Sequence, residues 1–225
     1  MKYRSLIRLS KEMSLFKSLL ANYLLCDFRA AVKFPIFVQK NVHFHSLRGK
    51  VEFGCIPKPG IVRIGFPGVS IFDRKYSRTV LNIAAGSTVI FNGRCSIGSG
   101  SKIGVGGRLT IGENFNMTAE SIIICNKEIV FGDDNLISWN CQIMDCDFHD
   151  IVCVESGAVV NHPKRIVFGD RIWIGSRVSV MKGVKLADDI VVAASSLVTG
   201  EHRESRTIIG GNPARVIKRN CVRVI

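Results

Sequence analysis

Only 6 of the 225 residues are proline. No apolar run approaches the roughly 18 to 20 residues that a membrane span requires. With 47% hydrophobic residues, this composition excludes a disordered or collagen-like chain. The length suits one or two domains with a substantial core. The best N-terminal apolar stretch, residues 19–26, is short, contains Asn22 and lacks a small-residue cleavage site, so no export signal is read there. The eight cysteines (26, 55, 95, 125, 141, 146, 153 and 221) are then expected to be reduced thiols in a cytosolic protein. Cys141, Cys146, His149 and Cys153 lie close together, but their spacing matches no standard zinc pattern, and no metal is expected.

Acidic residues are also scarce, with 18 Asp and Glu against 31 Lys and Arg, a formal charge of +13. The excess is local. Residues 1–50 hold 10 basic and 2 acidic side chains, a net of +8, and residues 200–225 hold 6 and 2, a net of +4. The middle is nearly neutral, without the basic stripe of a nucleic-acid binder. Acidic partners are expected at the two ends instead.

What the chain has in abundance is a period of six. From Ile166 it reads IVFGDR, IWIGSR, VSVMKG, VKLADD, IVVAAS, SLVTGE. The third position is Phe168, Ile174, Val180, Leu186, Val192 and Val198, always apolar, and the fourth is mostly small. The same phase runs through IVFGDD, NLISWN and CQIMDC from Ile129, and persists with slips back to Ile83. A strand repeats every two residues and a helix every 3.6, so neither explains this pattern. A parallel β-helix does: three units close a triangular coil, and third-position aliphatics stack inward into a continuous column. The small fourth residue is expected to let the chain turn its corner, with glycine tolerating positive φ there. About six coils fit between Ile83 and Gly200.

Three segments follow: a basic N-terminal part (1–50), the coils (51–200) and a C-terminal tail (201–225). Residues 147–164 break the period and are read as a loop leaving the stack, the usual place for function in repeat proteins. Residues 3–32 carry Leu6, Leu9, Met13, Phe16, Leu20, Tyr23 and Leu24 at helical spacing with Arg8, Lys11 and Lys17 between. This is a basic amphipathic helix, expected to cap the first coil or contact a subunit, with membrane-surface association as the alternative.

Three runs carry a family resemblance: Trp139 to His149 with its Asp-x-Asp-Phe-His ending, Ile172-Trp173-Ile174-Gly175 followed by Lys182-Gly183-Val184, and Gly211-Asn212-Pro213-Ala214-Arg215-Val216-Ile217-Lys218. Together with the repeats, over about residues 51 to 220, they resemble hexapeptide-repeat O-acetyltransferases of capsule, lipopolysaccharide and exopolysaccharide biosynthesis. The resemblance implies an all-β fold, a left-handed parallel β-helix with a short N-terminal helical segment, although spacing alone does not fix the hand. It further implies acetyl-CoA as acyl donor, a glycan or nucleotide-sugar acceptor, and a homotrimer whose active sites lie between subunits. The place implied is the cytoplasm, at most peripheral at the inner membrane face.

The chemistry points to His149. A hydroxyl attacking a thioester needs its proton removed, and a neutral imidazole can accept it and return it to the departing thiolate. Asp145 and Asp147 stand four and two residues before it, and either could orient the imidazole, the other meeting sugar hydroxyls. Asn161 and His162, in the loop, suit acceptor binding. Trp173, at an outward position, suits packing against a neighbouring subunit, or, as the resemblance implies, contact with the cofactor thiol or the acceptor. The resemblance places Gly175, Ala193, Ala194 and Ser195 along the pantetheine. A backbone N–H near Ser176 or Ser138 would hold the oxyanion. The resemblance also makes Asn212, Pro213 and Ala214 part of the coenzyme A segment, with Lys182, Arg215 and Lys218 candidates for its phosphates. N-acetylation of a nucleotide amino sugar and a non-catalytic binding β-helix are the alternatives.

Overall fold

The computed structural model describes residues 11–66, 69, 72 and 77–224. Their strands fall into three sheets of nine, seven and seven strands, and until the final hairpin every consecutive strand steps to the next sheet. Each sheet is one face of a prism, and within a face the coil strands pair in parallel with their equivalents one coil away, as in Ile123↔Ile143 and Ile143↔Val180. The chain is therefore all-β, a parallel β-helix of hexapeptide repeats behind a short helical segment. Two α-helices are described, α1 (Leu15–Leu25) and α2 (Phe28–Ala31).

Third positions are buried as expected, and so are the first: Ile166, Ile172, Val178, Val184 and Ile190 are all fully enclosed. Both positions point inward because the strand is short and bounded by corners. Aromatic stacking continues the column, with Phe115 and Phe131 centroids 4.8 Å apart and Phe131 and Phe168 at 4.5 Å.

Two expectations about the coils change. They begin earlier than residue 51, because the strands Ile36–Val38, Val42–Leu47 and Lys50–Phe53 already form a first coil, and seven complete coils result. The other end also extends, since Glu201–His202 and Thr207–Gly211 continue the third and first faces. The small fourth position has a different cause. Positive φ falls on the sixth position, at Asp134 (56°), Asn140 (57°), Arg171 (56°), Arg177 (59°) and Asp189 (59°). The fourth is small because the next coil's backbone passes close by: a Cβ on Gly175 would lie 2.7 Å from the Val192 carbonyl oxygen.

Fifth-position carboxylates bind coil to coil. The Glu113 N–H donates to Asp133 Oδ1 (2.7 Å), that of Asp133 to Asp170 Oδ1 (2.8 Å), and that of Asp170 to Asp188 Oδ1 (2.9 Å). Each carboxylate satisfies a donor that would otherwise be lost at a corner.

Both open ends of the stack are covered. The strand Ala214–Arg219 folds back antiparallel on Thr207–Gly211. At the other end α1 lies along the edge strand Ile36–Val38, with Ala21 and Leu25 entering the core. The helix is turned opposite to the sequence expectation: Ser18, Ala21, Asn22 and Leu25 face inward, while Phe16 and Tyr23 of the apolar stripe are exposed. Leu6 and Leu9 lie outside the described residues. Phe131→Ala should cost about 3–5 kcal/mol, since it removes the middle ring of a three-ring column. Phe131→Leu should cost much less, and urea denaturation midpoints measure both.

Candidate functional site

The strand Gln142–Met144 ends the second face of coil five, and the chain departs from the stack before returning at Ile166–Phe168 on the third face. The departing segment, residues 147–164, is a short hairpin. Val152 and Val159 form an antiparallel bridge, and the Val160 N–H donates to the Ile151 carbonyl (2.9 Å). Its two ends are pinned together by the Lys164 N–H on the Asp145 carbonyl (2.9 Å).

Asp145 and Asp147 prove to have different work. Asp145 is 0% exposed, and its carboxylate accepts the N–H groups of Asn126 (2.7 Å), Lys127 (2.8 Å) and Glu128 (2.8 Å) from the coil below. It occupies a fifth position, and does there what Asp133, Asp170 and Asp188 do on their corner. Asp145 thus braces coil five onto coil four.

Asp147 holds the loop. Its Oδ2 accepts from Lys182 Nζ and from Asn161 Nδ2 (2.8 Å), and the Asn161 amide also donates to the His149 carbonyl (2.8 Å). Asn161 Oδ1 accepts from the Ile151 N–H (2.6 Å), and Lys182 Nζ also donates to the Asn161 carbonyl (2.7 Å). The His149 N–H closes a turn onto the Asp147 carbonyl (2.8 Å). The hydrogen bond from the Lys182 ammonium, helped by that from Asn161, holds the Asp147 carboxyl below its ordinary range. So Lys182 and Asn161 fasten the backbone that carries His149, with the Lys182 ammonium engaged by the Asp147 carboxylate and the Asn161 carbonyl. The imidazole itself is exposed, as are those of His162, His43 and His45. His202 instead ends an inward column above Leu186, and its Nε2 is buried without a hydrogen-bond partner.

The remaining candidates gather on another corner, between the first and second faces. Trp173, 39% exposed on coil six, donates from Nε1 to Ser138 Oγ of coil five (3.1 Å). Gly175 and Ser176 follow it, and the Ser195 N–H donates to the Ser176 carbonyl (2.9 Å), which stacks Ala193, Ala194 and Ser195 directly above. The hairpin at Asn212 and Pro213 then closes over Gly210, where an added Cβ would lie 2.9 Å from Ala193 Cβ. Arg215 and Lys218 are exposed on its outer strand, whereas Ala214 is buried. Within one chain, then, the loop with Asp147, His149, Asn161, His162 and Lys182 occupies one corner, and the small-residue groove with Trp173 and the tail occupies the next. Among the described residues no group of His, Cys, Asp and Glu could hold a metal ion.

No family model matches the chain. Over 123 residues, 55% of its length, it is 34% identical to the polysialic acid O-acetyltransferase of Escherichia coli O1:K1 / APEC, covering 38% of that protein. It is 29% identical over 129 residues to the polysialic acid O-acetyltransferase of Neisseria meningitidis, covering 57% of each. Over these stretches the chain is similar to polysialic acid O-acetyltransferases. It is also 29% identical over 116 residues to the galactoside O-acetyltransferase of Escherichia coli K12, covering 50% of this chain and 55% of that one. The chain thus spans about half the length of the curated relatives it matches, between 38% and 57% for these three. Among solved structures, the polySia-specific acetyltransferase NeuO superposes with a TM-score of 0.48 at 23% identity, over 79% of this chain and 66% of that one.

The two aspartates should separate cleanly. Asp145→Ala orphans three backbone donors and should lower Tm by on the order of 5 °C. Asp147→Ala should leave Tm nearly unchanged, yet speed hydrogen–deuterium exchange at the Ile151 N–H. Because the Asp147 carboxyl lies below its ordinary value of 3.8, its latch is complete above that pH and opens as pH falls through the lowered value. Exchange at Ile151, corrected for the intrinsic pH dependence, should therefore stay flat above pH 3.8 and rise below it.

Proposed function

We propose that this protein is an acetyl-CoA-dependent O-acetyltransferase acting on a sugar hydroxyl of a surface polysaccharide or its precursor, with His149 as general base. The observation that carries the reading is the latch: an exposed imidazole stands on a loop whose backbone is fixed by Asp147, Asn161 and Lys182. Fixing the backbone matters because proton transfer requires the imidazole within hydrogen-bond reach of the hydroxyl. Three O-acetyltransferases of sugars or polysialic acid among the relatives support the class of reaction.

In this reading the imidazole accepts the hydroxyl proton as the oxygen attacks the thioester carbonyl. The carbon–oxygen bond forms, the carbon–sulfur bond breaks, and the proton returns to the coenzyme A thiolate. No acyl-enzyme is required. The buried thiols suit this route: burial pushes Cys125 up to about 12 and Cys141 upward too, which leaves neither as a thiolate at neutral pH. The oxyanion is held by a backbone N–H at the Ser138 or Ser176 corner. Coenzyme A lies along Gly175 and residues 193–195, with its phosphates at Arg215 and Lys218. Trp173, tied to Ser138, presents its ring edge to the thioester, and Asn161 and His162 face the acceptor.

The half-sites occupy adjacent corners of one chain. They make one site when a second copy brings its small-residue corner against the His149 loop, which is the homotrimer with inter-subunit sites that the family resemblance implies. A cytoplasmic place is consistent with the need for acetyl-CoA.

Thiol release from acetyl-CoA, measured with a panel of oligosaccharides, capsule fragments, nucleotide sugars and nucleotide amino sugars, tests the reading. A hydroxyl acceptor should stimulate release, and His149→Ala should lower kcat by about 100-fold or more with an unchanged Tm. Release stimulated by amino acceptors alone would make it an N-acetyltransferase. An unchanged rate in His149→Ala would remove the base.

A further inference from the structure

Helix α1 is turned inside out for a helix on a water-facing protein. Its polar residues point inward because the edge strand beneath it needs partners. Asn22 Nδ2 donates to the Ile36 carbonyl (2.8 Å), Asn22 Oδ1 accepts the Ile36 N–H (3.1 Å), and Ser18 Oγ accepts the Val38 N–H (2.9 Å). Lys17 joins them, donating from Nζ to the carbonyls of Lys40 (2.7 Å) and Val42 (2.6 Å). With the polar side chains consumed on the strand, most of the apolar ones other than Ala21 and Leu25 are left on the outside. Leu15 (59%), Phe16 (73%), Leu19 (53%) and Tyr23 (80%) are exposed along α1, and Phe28 (80%) and Val32 (63%) extend the patch along α2. A helix apolar on its outer side is ordinarily covered.

The charge of the same segment says by what. Lys11, Arg29, Lys33 and Lys40 are exposed around it, against the exposed carboxylate Asp27. Over residues 1–50 the balance is 10 basic to 2 acidic side chains. A second copy docked here would bring two segments of +8 together, which opposes self-association. A surface that is apolar below and anionic above satisfies both features at once: the aromatic and aliphatic side chains enter the acyl boundary while the lysines and arginines meet headgroups.

We propose that the outer face of α1 and α2 seats the protein on an anionic lipid bilayer. Docked this way, the chain keeps its reaction corners clear. The His149 loop leaves coil five, four strand spacings or about 19 Å from the first coil that α1 covers. The proposal does not depend on the acetyltransferase reading, and its test uses no acceptor.

Co-flotation of the full chain with vesicles provides that test, comparing phosphatidylcholine alone with phosphatidylcholine mixed with phosphatidylglycerol. Binding to the mixed vesicles should be at least about tenfold tighter than to neutral ones, and should weaken with salt. Phe16→Ser combined with Tyr23→Ser should weaken it at least about tenfold, and Arg29→Glu combined with Lys33→Glu should do so independently. All are exposed positions, so circular dichroism should match the parent chain. Equal binding to both vesicle types, or none to either, would overturn the proposal. So would a change of oligomeric state in Phe16→Ser/Tyr23→Ser without a loss of vesicle binding, which would assign the face to a subunit contact.

Discussion

One coil of this chain cannot exist alone. Its strands are two to six residues long, its inward side chains have no partner within the coil, and its backbone groups point up and down at nothing. Every coil is stable only because the next one lies on it. That single dependence sets the other features: glycine or alanine where two coils approach closest, a carboxylate reaching one coil down at the corners, and some covering at each open end. The acidic fifth positions and the small fourth positions are two consequences of the same spacing, since backbones in parallel register run roughly 4.8 Å apart.

The same dependence gives the candidate site its rigidity. Asp145 braces coil five onto coil four, and Lys182 reaches from coil six to Asp147. The loop carrying His149 is therefore anchored to the coils on either side of its root, although it projects from the stack. A general base on a free loop would sample many positions. Here the backbone at His149 and Ile151 is held through one asparagine, Asn161, so the stretch of chain that carries the imidazole is tied to the stack beneath it.

Much of this was legible from the period alone. Continuing the register Gln142↔Ser179 and Ile143↔Val180 by two residues brings Lys182 level with Asp145, a neighbourhood that the sixes contain once the loop is excised. The partner Asp147 was not legible, because a loop conformation has no period. Asp145 and Asp147 look equivalent beside His149 in sequence, and only the Asn126–Glu128 donors of the coil below separate them. The early coils were hidden by register shifts at Phe44/Ser46 and Ile64/Phe66, which break the phase before residue 83. The facing of α1 was misjudged for a plainer reason: hydrophobic periodicity ignores what an uncovered edge strand demands. The unmet hydrogen bonds of Ile36 and Val38 outweighed apolar burial, and Ser18 and Asn22 were drawn inward.

The central claim is that acetyl transfer joins the His149 corner of one copy to the Trp173 and Arg215 corner of another. Subunit complementation tests it most directly. His149→Ala chains and Arg215→Glu/Lys218→Glu chains, each inactive alone, are unfolded together, refolded and assayed for thiol release. Sharing of the site predicts that activity reappears in the mixture, from hybrid interfaces that carry one intact corner of each kind. A mixture that stays as inactive as its parts, despite forming hybrid oligomers, would contradict it.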